Sequence, residues 1–117
     1  MSENVVQKKS YAFALRIIRL YKFLCDEKKE FVLSKYVLSA GTAVGAYIKA
    51  AEEADSRSGF AHEMNVALQK ASQTEYWLQL LHDSQFLDDK AYESVQADCK
   101  ELLKLLTAIV KSSRPPQ

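Results

Sequence analysis

Turn formers are scarce in this chain. Glycine occurs only at 41, 45 and 59, and proline only at 115 and 116, in 117 residues. With apolar residues recurring near the helical period throughout, that scarcity points to helices. Neither sign of charge dominates. The formal net charge is +1, which does not suggest a dedicated nucleic-acid clamp, because such domains are usually strongly basic. No apolar run approaches the roughly 20 residues of a membrane span. The leading segment MSENVVQKK lacks the apolar stretch of a secretory signal. Only two cysteines are present, Cys25 and Cys99. They have no metal-type spacing and are too few for a small disulfide scaffold. Both are expected to be reduced, buried thiols in a cytoplasmic protein.

What is present predicts four helices. The first runs from about Glu3 to Asp26, with Val6, Phe13, Ile17, Leu20 and Leu24 as its main apolar stripe. Tyr11, Ala14, Ile18 and Tyr21 widen that stripe to about half the circumference, more than the roughly 100° that one core requires. The second runs from about Phe31 to Asp55. Its seam, Leu33, Val37, Ala40, Val44, Tyr47, Ala51 and Ala54, alternates in steps of four and three. The third begins near Ser58, after a turn containing Gly59, and ends near Asp83; Met64, Ala67, Ala71, Thr74, Leu78 and Leu81 form its seam. The fourth is announced by Asp88 as N-cap and by a Leu87/Tyr92 hydrophobic staple, and continues through Val95, Cys99, Leu102, Leu106 and Ile109. Helices of similar length joined by short loops make an all-α, up-down-up-down antiparallel four-helix bundle. The expected domain covers 1–111, with 112–117 a disordered tail.

The stretch SAGTAVGAYIKAAEE, 39–53, places two glycines inside the second helix. Each costs a helix interior about 1 kcal/mol relative to alanine. Gly41 and Gly45 lie one turn apart, so they share a face, and Ser39, Ala40, Ala43 and Ala46 keep the surface around them low. A neighbouring helix can then approach inside the usual spacing of roughly 8–10 Å. The expected neighbour carries a bulky aromatic, Trp77 of the third helix or Tyr21 of the first.

Motifs for chemistry are few. Glu63, Glu75, His62 and His82 never fall at the Glu-x-x-His spacing of di-iron bundles, so no metal and no cofactor is expected. There is no P-loop, Gly-x-Ser-x-Gly or Rossmann fingerprint, and no small-molecule substrate is implied. One enzyme-like pattern occurs. Arg57 and His62 have the Arg-x4-His spacing of small helical metal-independent ribonucleases, in which the arginine stabilises phosphate charge and the histidine handles a proton. The other reading of that segment is an inter-helix turn with an exposed arginine.

The distribution of basic residues says more than the net charge. Lys8, Lys9, Arg16, Arg19 and Lys22 fall on one side of the first helix, opposite its core stripe. They form either a solvated face or a phosphate-binding stripe that multiplies when copies assemble in a ring.

VLSAGTAVGAYI at 37–48 and GFAHEMNVALQKASQTEYWLQLL at 59–81 resemble the four helix bundle proteins encoded in bacterial 23S rRNA intervening sequences. Within that group the chain looks nearest to the accessory variability proteins of diversity-generating retroelements. The combination that carries the likeness is the small-residue helix, Phe60, Met64, Ala67-Leu68 and Tyr76-Trp77-Leu78. The chain departs from the pattern at Tyr47-Ile48-Lys49-Ala50, where Asn-Ile-Glu-Glu is usual, and at Gly59, where an Asp usually precedes the phenylalanine. The resemblance implies a bundle that assembles as a pentameric ring, has no enzymatic activity, and partners nucleic acid or a reverse transcriptase.

Together these readings predict a non-enzymatic homo-oligomer, a homopentamer by the resemblance, that serves as a scaffold for RNA or an RNA-handling protein. Tyr11, Ile18 and Tyr21 are the expected subunit contact. The alternative is a ribonuclease using Arg57 and His62.

Overall fold

Three short turns divide the chain into α1 (Ser2–Asp26), α2 (Leu33–Glu52), α3 (Arg57–Asp83) and α4 (Asp89–Ser113). The computed structural model describes residues 2–113, with side chains from Val5 onward. No strand occurs among the described residues. The fold is an antiparallel four-helix bundle. Its 47 Å long axis against cross-dimensions of 23 and 21 Å is the shape of long helices lying side by side. Consecutive helices pack tightly, whereas α1 and α4 close the bundle more loosely.

The α3 seam is buried as its spacing requires: Met64, Ala67, Ala71, Thr74, Leu78 and Leu81. On α2 the buried set is Ser34, Val37, Ala40, Gly41, Val44, Ile48 and Ala51. The expected Leu33 and Tyr47 are only half-buried. A straight helix turns by 3.6 residues, so a strict heptad reading drifts about 20° per repeat and misplaces residues towards its ends. The same drift puts Val110, not Ile109, in the core of α4.

Each turn is built without proline. Lys29 takes a left-handed φ of 54° after α1. The buried Glu30 then does the work of an N-cap for α2. Its carboxylate accepts the backbone N–H groups of Val32, Leu33 and Ser34 at 3.2, 2.9 and 2.7 Å, satisfying donors that a helix start leaves unpaired. Hence α2 begins at Leu33 rather than Phe31. Ser56 caps α3 by accepting the Gly59 N–H at 3.0 Å, so α3 starts at Arg57. After α3, Gln85 adopts φ 73°. The Phe86 and Gln85 N–H groups return to the carbonyls of Leu81 and His82 at 2.9 and 3.0 Å, the Schellman pattern with glutamine in the position glycine usually takes. Asp88 caps α4 by accepting the Ala91 N–H at 2.8 Å, with Leu87 buried and Tyr92 half-buried beside it. α4 continues to Ser113, two residues into the expected tail; residues 114–117 lie outside the described residues.

Gly41 is buried against α1. A methyl group built there would stand 2.8 and 2.9 Å from Ile17 Cγ1 and Cγ2 and 3.2 Å from its Cβ. The bulky neighbour is therefore Ile17, neither Trp77 nor Tyr21. Gly45, one turn on, faces Ser10, and a methyl there would meet the nearest atom at 3.5 Å, an ordinary contact. The two glycines thus separate experimentally. Gly41→Ala should lower the melting temperature, because overpacking costs about 1–3 kcal/mol against a helix-propensity gain of about 1 kcal/mol. Gly45→Ala should leave the melting temperature unchanged or raise it. Thermal denaturation followed by circular dichroism checks both; equal effects would refute the close approach at Gly41.

Candidate nucleic-acid and assembly interface

The basic side of α1 is divided between two tasks. Arg16 reaches α4, where its guanidinium contacts Asp98 at 2.7 Å and also donates to Ser94. Lys9 pairs with Glu101 at 3.2 Å. These two cations therefore bridge the loose α1–α4 side, and their positive charge is locally answered. Lys8, Arg19 and Lys22 are exposed, and no ion pair among the described residues involves them. Of the five cations of the stripe, these three are the ones outside an ion pair among the described residues. Asp98 and Glu101, three residues apart on α4, were the signal for this division; sequence spacing alone does not tell which helix they face.

The expected assembly residues also divide. Tyr11 is 68% exposed, whereas Ile18 and Tyr21 are half-buried by the bundle itself. Leu15, one turn from Tyr11, is exposed at 42%. Between α1 and α2 lies a groove of about 710 Å³ lined by Tyr11, Ala14, Leu15, Thr42, Gly45 and Ala46, with Lys8, Lys49 and Glu52 among its charged residues. The missing side chain at Gly45 helps to keep it open. A second exposed apolar surface escaped the sequence reading. Phe31, Val32, Tyr36 and Tyr76 are all more than half exposed, and they collect where α2 begins beside the C-terminal part of α3. Phe31, Val32 and Tyr36 lie off the α2 seam, which was the available signal.

Arg57 and His62 are both exposed. They lie five residues apart in the first two turns of α3, and neither makes a side-chain hydrogen bond to the other. Among the described residues no cluster of His, Cys, Asp or Glu is arranged to hold a metal ion, and no helix is long and apolar enough to cross a membrane.

Two other titratable groups have defined surroundings. Cys99 is buried and its thiol donates to the Ala71 carbonyl at 3.3 Å; burial pushes its pKa up to about 12, so it stays protonated and unreactive. Cys25 is half-buried, and neither cysteine is in a disulfide. His82, in the last turn of α3, stacks on Tyr92 with ring centroids 4.1 Å apart. Its Nε2 lies 2.7 Å from Asp89 Oδ1 in the first turn of α4. The Asp89 hydrogen bond raises the His82 pKa above 6.5, burial opposes it, and the charges of Asp89 and Asp83 add to the rise.

The family model of the 23S rRNA-intervening sequence protein matches residues 2–108. The chain belongs to that family. Its fold is similar to the 1.70 Å crystal structure of a protein of unknown function from the S23 ribosomal protein family of Bacteroides thetaiotaomicron VPI-5482. The two are 50% identical with a TM-score of 0.93, over 95% of this chain and 99% of that one. No curated protein matches the chain. In this family member the matched region takes in both apolar surfaces and the whole of the basic stripe.

The His82 contact gives a pH dependence with a definite sign. A pKa raised by folding means that the protonated ring is favoured in the folded state. The added stability is complete below about pH 6.5, the unfolded value, and is lost as pH rises through the higher folded value. The melting temperature should therefore carry a component that falls as pH rises above about 6.5. Asp89→Asn should shrink that component, leaving the smaller part that Asp83 supplies. A slope unchanged in the variant would place its origin elsewhere.

Proposed function

We propose that this chain is a non-enzymatic cytoplasmic scaffold that assembles with copies of itself and holds RNA, or a protein that handles RNA, on the assembled surface. The observation that carries the reading is the outer side of α1. There Tyr11 and Leu15 stand in solvent beside an apolar groove, on the same helix as Lys8, Arg19 and Lys22. An apolar surface of this kind on a soluble domain marks an interaction site. The proposed occupant is a neighbouring subunit in a closed ring, with five copies as the family resemblance implies. Assembly multiplies a weak charged stripe, because a chain of phosphates bound at one subunit meets the next at high effective concentration. Affinity for RNA should then fall steeply as salt rises.

Two measurements test the two halves. Light scattering at micromolar concentration should give a multiple, five by the proposal, of the 13.3 kDa chain mass. Tyr11→Glu with Leu15→Glu should reduce that mass without loss of helicity. A monomer mass for the unsubstituted chain would overturn assembly. On the assembled protein, Lys8→Glu, Arg19→Glu and Lys22→Glu together should abolish retention of mixed-sequence RNA at low salt and flatten its salt dependence. Retention equal to that of the unsubstituted protein would overturn the RNA half.

A further inference from the structure

The aromatic surface where α2 begins is ordered in a specific way. The Tyr36 ring lies on Trp77 with centroids 4.9 Å apart and planes 19° from parallel. Tyr76 meets Trp77 edge-on at 5.1 Å and 68°. Trp77 is half-buried and packs on the core, so it anchors the pair. Tyr36 nevertheless keeps 53% of its surface in solvent. With one ring face covered by the indole, the exposed part includes the other face. A parallel aromatic stack whose outermost member is fixed and uncovered can be extended by one more flat ring.

A cation lies beside it. Lys35 lines a cavity of about 460 Å³ together with Phe31, Val32, Tyr36 and Ser39. Lys28 and Lys29 stand exposed on the adjoining turn. No ion pair among the described residues involves Lys28, Lys29 or Lys35. Of the two acids of that turn, Glu27 is exposed and Glu30 has its carboxylate turned inward onto three backbone N–H groups. Of these charged groups only Lys35 lines the cavity; Asp26, Glu27, Lys28 and Lys29 do not. Fixed aromatic faces beside cations are what single-stranded nucleic acid binders offer: the rings take bases and the cations take phosphates. A duplex keeps its base faces stacked internally and has none to give.

We propose that Tyr36, held by Trp77 and flanked by Lys35, is a base-stacking site for single-stranded RNA. The inference rests on the reading that the assembly holds RNA, and assigns part of that contact to a surface separate from the α1–α2 groove; no residue lines both cavities.

Trp77 is the one tryptophan of the chain, so its fluorescence reports on this site alone. Titration with short oligoadenylate at low salt should quench it. Tyr36→Ala should weaken oligoadenylate binding roughly 5- to 150-fold, the range associated with loss of one stacked base, while Tyr36→Phe restores it. Lys35→Glu should weaken binding and reduce its salt dependence. Helicity and assembly mass of all three variants should match the unsubstituted protein. Absence of quenching, unchanged affinity in Tyr36→Ala, or equal quenching by duplex RNA would overturn the proposal. So would a fall in assembly mass in Tyr36→Ala, since a second copy would then be what covers the rings. If the Lys8, Arg19 and Lys22 variant loses mixed-sequence RNA while Tyr36→Ala keeps oligoadenylate, the stacking site falls and the scaffold reading stands. If the unsubstituted protein retains no RNA of any kind, both fall.

Discussion

The arrangement of this bundle turns on the contact between Ile17 and the bare backbone at Gly41. A β-branched side chain lies where an alanine methyl could not fit without movement, and Ile17 is fully buried there. That contact fixes how deeply α1 seats on α2. Dispersion between closely packed atoms is small per pair but sums over the length of a helix, so a seat this close offsets the propensity cost of a glycine. One turn away the same helix pair is less crowded. At Gly45 the missing side chain leaves space beside Ser10, and this space opens into the apolar groove. One glycine serves packing and the other shapes a surface, though the sequence presents them as equivalents.

The opposite side of α1 is held by different forces. With α1 seated against α2, its contact with α4 is the looser one, and Arg16–Asp98 and Lys9–Glu101 span it. Exposed ion pairs of this kind contribute at most about 1 kcal/mol each. They set register more than stability: Arg16 also binds Ser94, so one side chain spans a full turn of α4. The consequence for function is subtraction. A stripe of cations counted along α1 overstates the charge available to a phosphate, because part of it is already answered within the same subunit.

Sequence patterning reveals what a single helix does and is weaker on what pairs of helices do. The α3 seam was fully legible because its small and large apolar residues recur at the helical period through the middle of the bundle. The helix boundaries were nearly legible, and the deviations have physical causes. Glu30 caps α2 from a position that no capping preference would flag, since glutamate is not a usual N-cap residue. Lys29 and Gln85 take left-handed conformations normally reserved for glycine, so no glycine marks either turn, although the ends of α1 and α3 at Asp26 and Asp83 stand where the patterning put them. Ile17 as the partner of Gly41, Asp98 as the partner of Arg16, and the Tyr36–Trp77 stack are relations between distant positions. Each depends on how helices are rotated about their own axes, and one sequence does not determine that rotation.

α2 has a position that no other helix shares. Its start carries the ring of Tyr36 and the lysine beside it, and its second half forms one wall of the α1–α2 groove through Thr42, Gly45 and Ala46. The intervening seam, Val37, Ala40, Gly41 and Val44, is buried, so the two ends belong to one rigid body. A helix rises about 1.5 Å per residue, and that fixes the distance between the two surfaces within a subunit. In the proposed ring, subunits joined at the groove would therefore repeat the aromatic site at constant spacing and orientation. Such spacing matters for a flexible single strand, whose second contact gains from the first only where the connecting length can span the gap. Gly45, which helps to open the groove, would in this way also set the pitch at which bases are presented.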